Sequence, residues 1–127
     1  MINGIEALTQ QALTLALDAA SLRQQAIAAN IANAGTPGYV PQRVDFEDQL
    51  DAARRSLGTR GTADAFSLAQ VQPRMVPAVA DGGVAAAPQL DMEVAALAQN
   101  AVQYQALLRG LSRQFAIYSM AVSDGKK

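Results

Sequence analysis

The sequence predicts an all-α-dominated fold: two long terminal helices in an antiparallel, coiled-coil-like hairpin, with a short helix and an irregular or partly β arm between them. Three observations carry this. Residues 5–33 contain neither Gly nor Pro, and their apolar positions recur at alternating three- and four-residue steps. Residues 90–123 hold the same spacing with bulkier side chains. Between them, residues 58–88 are rich in Gly, Pro and Ala and hold no regular period. The chain therefore divides into a discontinuous helical core, residues 1–34 with 89–127, and an inserted region, residues 35–88. The long connection would also permit parallel pairing. The antiparallel expectation places Leu8 and Leu15 nearer Phe115 and Tyr118 than Leu97.

The first helix, Ile5 to about Asn33, is about 43 Å long at 1.5 Å per residue. Ile5, Leu8, Ala12, Leu15, Ala19, Leu22, Ala26 and Ala29 form one heptad seam. Leu13, Leu17, Ala20, Gln24, Ile27 and Ile31 form a second on another face. A helix apolar on two sides is buried on two sides, so this one needs more than one partner.

Gly35 is expected to close the helix in the left-handed conformation, and Pro37 bars its continuation. Pro37 also pushes Thr36 toward extended geometry. Gly38 frees the backbone to turn, and Tyr39 follows as an amphipathic anchor. Asn30 and Asn33 share one face of the last turn, where their amides can hold the corner or bind a neighbour's backbone. On local chemistry alone this is a helix end with a Pro-Gly turn, which any soluble protein can use.

Residues 36–44 should be extended. Asp45 is then the expected cap of a short helix from Phe46 to about Leu57, stopped by Gly58. Phe46, Leu50, Ala53 and Leu57 share one face of it. Asp45, Glu47, Asp48 and Asp51 crowd its start and Arg54 and Arg55 its end, the order the helix dipole favours. Phe46 and Leu50, four apart, make an apolar plug for either a local core or a shallow groove elsewhere.

Residues 58–88 read as a linker, an irregular arm, or a β-hairpin around Asp81-Gly82-Gly83, mobile in isolation. Short extended pieces are expected at Phe66–Val71 and Met75–Val79. The last helix runs from Leu90 to about Ser123 with Asp91 as its N-cap. Leu90, Val94, Leu97, Ala101, Tyr104, Leu108, Leu111, Phe115, Tyr118 and Val122 form the strongest seam in the chain. A further stripe, Leu107, Gly110, Gln114, Ile117 and Ala121, suggests a second contact surface. Gly125 is the expected left-handed cap, and Lys126 and Lys127 suit the negative pole. The alanine-rich first seam and this bulky one should interlock at short distance.

Chemistry has little to work with. There is no Cys and no His, which removes thiol chemistry, disulfides and most zinc sites. No catalytic residue, cofactor or metal site is expected. The acidic cluster lacks the spacing of a calcium loop, and its placement is explained by the dipole. Gly82-Gly83 does not open a helix after a strand, so it is no phosphate cradle. A net charge of −1 gives no case for nucleic acid or an anionic membrane. No segment reads as a membrane span, and a start lacking basic residues and carrying Glu6 argues against a cleaved signal. Eleven of the 21 charged residues fall between Arg43 and Asp81, so the terminal helices read as assembly elements and the middle as the solvated part.

The string from Ala29 to Tyr39 is more specific than its parts. Ala29, Asn30, Ala32, Asn33, Thr36, Pro37, Gly38 and Tyr39 closely resemble the N-terminal signature of the flagellar axial proteins, the rod and hook family, with Gly35 where relatives often carry Asn. Leu90–Ala95, Leu97–Asn100, Tyr104–Leu107 and Arg113–Phe115 resemble the closing helix of its proximal-rod members. The short middle separates the chain from members with large inserted domains.

The resemblance implies a structural rod subunit, exported unfolded through the flagellar type III apparatus without a cleaved signal. It would polymerise into the hollow drive shaft that crosses the periplasm. Implied partners are copies of itself, other rod subunits, and a FliE-like adaptor and the MS ring at the rod base. Phe46 and Leu50 resemble the element by which early export substrates dock on the export gate. The implied assembly seams are Leu8, Leu15 and Leu22, Leu13, Leu17, Ile27 and Ile31 on the first helix, and Leu97, Tyr104, Leu108, Leu111, Phe115 and Tyr118 on the last. The C-type proximal rod subunit is the nearest relative to separate from it. A non-flagellar helical secretion adaptor or chaperone is the alternative from another class.

Overall fold

Small side chains decide how closely the layers of this molecule approach one another. The computed structural model of the chain describes residues 2–60, 68–80, 82–84, 87 and 89–126. Its elements are α1 (Ile2–Ala32), β1 (Gln42–Asp45), α2 (Glu47–Arg60), β2 (Arg74–Pro77) and α3 (Leu90–Asp124). The two long helices pack as an antiparallel pair. Asn30 lies beside Glu93, Asn100 beside Ala20, and a Cβ on Gly110 would sit 3.7 Å from Leu13 Cδ2. That register sets Leu8 level with Phe115 and keeps it far from Leu97, as the seams predict.

The seams do not pair as expected. The alanine-rich seam of α1 is taken by the middle of the chain. Ala19 and Ala26 are buried with Val44, Phe46 and Val71, and Leu15, Ala16, Leu22 and Ala53 pack around them. It is the second stripe, carrying Leu13, Ala20 and Gln24, that meets α3. On α3 the bulky seam is largely left outside: Leu90, Val94, Tyr104, Leu108, Phe115, Tyr118 and Val122 are all exposed. The physical reason is area: a β-ribbon needs a flat, low bed, and a row of alanines provides one.

The charged middle is thus not merely solvated, because it supplies the apolar half of the core. β1 and β2 pair antiparallel with Gln42 opposite Pro77 and Asp45 opposite Arg74, and the Ala78 N–H extends the ladder to the Pro41 carbonyl at 2.8 Å. Alternation sends Val44 inward and leaves Arg43 outside. The strands are therefore joined through α2, not across Gly82-Gly83. Those glycines, both at positive φ, make a tight turn in which the Ala80 N–H reaches the Val84 carbonyl.

Several boundaries differ from expectation. α1 begins three residues earlier than predicted. Gly35 is not left-handed; the end of α1 instead tightens, with the Ala34 N–H bonding the Ile31 carbonyl and Thr36 that of Asn33. Asp45 ends β1, α2 starts at Glu47, and α2 runs through Gly58 to Arg60. Gln89, not Asp91, is the N-cap of α3 and makes no side-chain capping bond. Gly125 closes α3 at φ −72°, right-handed, its N–H bonding the Ala121 carbonyl while the Lys126 N–H bonds that of Ser123. Leu68 and Ala69 are helical where an extended piece was expected. Phe66 and Asp81 lie outside the described residues, as does the side chain of Leu57.

Candidate functional site

Pro37 fixes one torsion of the corner after α1 and Gly38 supplies the other. Pro37 and Gly38 occupy the centre of a turn closed by the Tyr39 N–H on the Thr36 carbonyl at 3.2 Å. Gly38 has φ 78°, the positive value a type II turn requires at its third position. Thr36 Oγ1 donates to Asn33 Oδ1 at 3.3 Å, and Asn33 Nδ2 donates back to the Ala29 carbonyl at 2.9 Å. Asn33 thus fastens the turn onto the helix it leaves.

Asn30 does more, and it is 2% exposed. Its Nδ2 donates to the Gln42 carbonyl and its Oδ1 accepts the Gln42 N–H, both at 2.8 Å. This two-bond exchange is what a neighbouring strand would offer β1. The Tyr39 hydroxyl donates to the same Oδ1 at 3.0 Å, and Nδ2 reaches Glu93 Oε1 on α3 at 3.2 Å. One amide therefore joins α1, the corner, β1 and α3. Each bond is modest, but losing this side chain would strand both backbone groups of Gln42.

The structure brings together Asn30, Asn33, Thr36, Pro37, Gly38 and Tyr39 in this corner. It places Phe46 in the core, 8% exposed, while Leu50 is on its rim at 37%. In the folded chain these two do not form an accessible plug. Of the seam residues, Leu15 and Leu22 serve the internal core, and Leu13 faces α3. Leu97 and Leu111 are half-buried, whereas Tyr104, Leu108, Phe115 and Tyr118 stand exposed on α3.

Four residues were missed by sequence reasoning. Gln49 repeats the device of Asn30, bonding the Gln72 N–H at 2.9 Å and carbonyl at 2.8 Å and so holding the entrance of β2. Glu93 joins Asn30, and Asn100, buried in the helical seam, joins the exposed Gln24 at its edge. Gln24 was placed in the second seam of α1 but given no polar role, and a lone Gln, Glu or Asn on a helix reads as solvated surface, so nothing marked the other three. Arg23 and Glu47 also link α1 to α2 at 2.6 Å, a surface pair worth little. Among the described residues, no three His, Cys, Asp or Glu side chains gather as a metal site. No helix among them is long and apolar enough to cross a membrane.

A corner that fixes an arm to a helical hairpin, beside an uncovered apolar helix face, defines an assembly protein. Comparison with known proteins gives the family. Residues 11–39, the greater part of α1 with its corner, match the family described as "Flagella basal body rod protein". The chain is similar to the "Flagellar basal body rod protein FlgB" of Bacillus subtilis (strain 168), 30% identical over 123 residues, covering 93% of this chain and 95% of the relative. It is also similar to the FlgB of Escherichia coli (strain K12), 32% identical over 117 residues, covering 78% and 81%. The chain belongs to the flagellar basal body rod protein family and is FlgB-like within it. That family is one of structural proteins, not of enzymes.

Proposed function

We propose that this chain is a subunit of the proximal rod of the bacterial flagellar basal body. It polymerises through its terminal helices, with copies of itself and with other rod subunits, into the hollow shaft that crosses the periplasm. The observation that carries this reading is the outer seam of α3, whose Leu90, Val94, Tyr104, Leu108, Phe115, Tyr118 and Val122 are exposed in a chain whose other long helix is covered on two sides. The accessible surface is 8859 Å². A compact monomer of 13.3 kDa would expose about 6,450 Å². The chain thus exposes more surface than a compact monomer of its mass.

Within the rod, it sits at the base, against a FliE-like adaptor and the MS ring, a reading that its resemblance to the proximal subunits supports. It reaches that site through the type III export gate. Phe46 and Leu50 are the export element, and because Phe46 lies in the folded core, the gate reads it only on the unfolded chain. The hairpin of residues 1–34 with 89–127 is the polymerising unit, and residues 35–88 form the arm whose angle the corner sets.

The test uses the absence of native cysteine. Leu108→Cys and Tyr118→Cys should react with a maleimide in the secreted free chain and be protected in isolated basal bodies. Equal reactivity in both states would overturn the proposal.

A further inference from the structure

Asn100 lies in the α1–α3 seam, 3% exposed. Its Nδ2 donates to the Ala20 carbonyl and to Gln24 Oε1, both at 2.9 Å. Its Oδ1 is equally buried and accepts no hydrogen bond among the described residues. A half-satisfied amide inside a helix contact weakens that contact, where leucine of similar size would strengthen it. Stability therefore does not explain this side chain, but specificity does.

We propose that Asn100 and Gln24 form a one-position key that fixes the register of α3 along α1. The stripe of α1 turned to α3 is Leu13, Leu17, Ala20, Gln24, Ile27 and Ile31, and Gln24, whose exposed side chain reaches Asn100 from the edge of the contact, is its one polar member. Because both helices repeat every seven residues, sliding α3 by one heptad restores most apolar contacts. It also carries Asn100 to Leu17 or Ile31 in place of Gln24, and the second bond is lost. A backbone carbonyl like that of Ala20 is available at every turn, so Gln24 is the discriminating partner.

The other links do not distinguish the registers as sharply. Asn30 keeps its bonds to Gln42 and Tyr39 without Glu93. Gly110 has no side chain to interlock with Leu13, and a Cβ there would make only ordinary contact. One heptad of slip would move the outer face of α3 by about 10.5 Å relative to the corner and arm. A single buried polar position that selects one alignment is a known use of such residues in helical pairs. The inference concerns the fold of one chain and does not rest on the rod reading.

The experiment is oxidative cross-linking of cysteine pairs in the full-length, otherwise cysteine-free chain. Leu13→Cys with Gly110→Cys reports the native register, and Leu13→Cys with Gln103→Cys or Ile117→Cys reports one heptad of slip either way. In the unsubstituted background only the native pair should link. With Asn100→Leu and Gln24→Leu together, helical circular dichroism should be retained or increased, and the slipped pairs should link about as well as the native one. Native-only linking in the doubly apolar chain would overturn the key. So would equal linking of all three pairs before any substitution, since no register would then be fixed.

Discussion

α1 and α3 are nearly equal in length and carry heptad patterns of equal regularity, yet they meet opposite fates. α1 buries Ala19 and Ala26 under the β-ribbon and Ala20 and Ile27 on the stripe turned to α3. On α3, Asn100 is the one fully buried residue, and eleven large apolar side chains remain exposed. No described side chain of α1 stands among the exposed large hydrophobics. The difference lies in side-chain size. Alanines admit a second layer within the chain, whereas leucines and aromatics on α3 offer area that no described residue covers. α1 is the helix that folds the subunit, and α3 is the one that keeps a broad apolar face in water, which the proposed assembly would cover.

The sharpest way to break that comparison is to put the same charge on each helix. Ala19→Asp would bury an unpaired carboxylate beneath Val44 and Phe46 and should cost about 3–5 kcal/mol, enough to abolish cooperative thermal unfolding. Val102→Asp, on the 71% exposed outer face of α3, should stay within about 0.5 kcal/mol of the parent. Similar losses at both sites, measured by denaturant titration, would erase the distinction.

Asn30→Ala tests whether the corner belongs to the folding side of this division. It would strand the Gln42 N–H and carbonyl and release Tyr39, at a cost of about 2–3 kcal/mol. Hydrogen exchange should then accelerate at Gln42 and along β1 before it changes in the middle of α3. Uniform acceleration across both would show that the amide only adds general stability.

How much of this was legible in the sequence differs between the same regions. Heptad spacing counts the apolar sides of a helix, and it counted two on α1 and two on α3. It carries no record of which partner takes which side, so the bulky seam of α3 was matched to the alanine seam that the ribbon in fact occupies. The corner was legible because Pro37 and Gly38 act through their own torsions. Gly35 and Gly125 misled for the complementary reason: glycine permits the left-handed cap without requiring it, and other backbone bonds already serve those carbonyls. Gln49, Gln24 and Glu93 were invisible because their partners are distant backbone or amide groups that only the folded chain brings near.

Gly38→Val separates torsion from packing at the corner. A Cβ there would meet nothing within 4 Å, so the whole penalty is that of φ 78°. It should be about 1–3 kcal/mol, with Gly38→Asn clearly milder because Asn tolerates that conformation. Equal effects from Val and Asn would point to a clash instead of strain. Through the corner the same change should tilt the arm in every copy, so secreted subunit should be normal while motility falls.

The smallest effect on the subunit should accompany a large effect on the assembly. Phe115→Ser and Tyr118→Ser remove apolar surface that is 50% and 55% exposed, near the end of α3. Neither side chain belongs to the internal core, so the pair together should change unfolding free energy by no more than about 1 kcal/mol. If α3 is the offered helix, these substitutions should nevertheless leave the exported chain abundant in the medium and the cells without working rods. The two measurements must be made together, because a poorly folded chain would also fail to build. Normal motility with a stable double variant would show that the exposed end of α3 takes no neighbour. A large loss of stability would show instead that it was already in use within the chain.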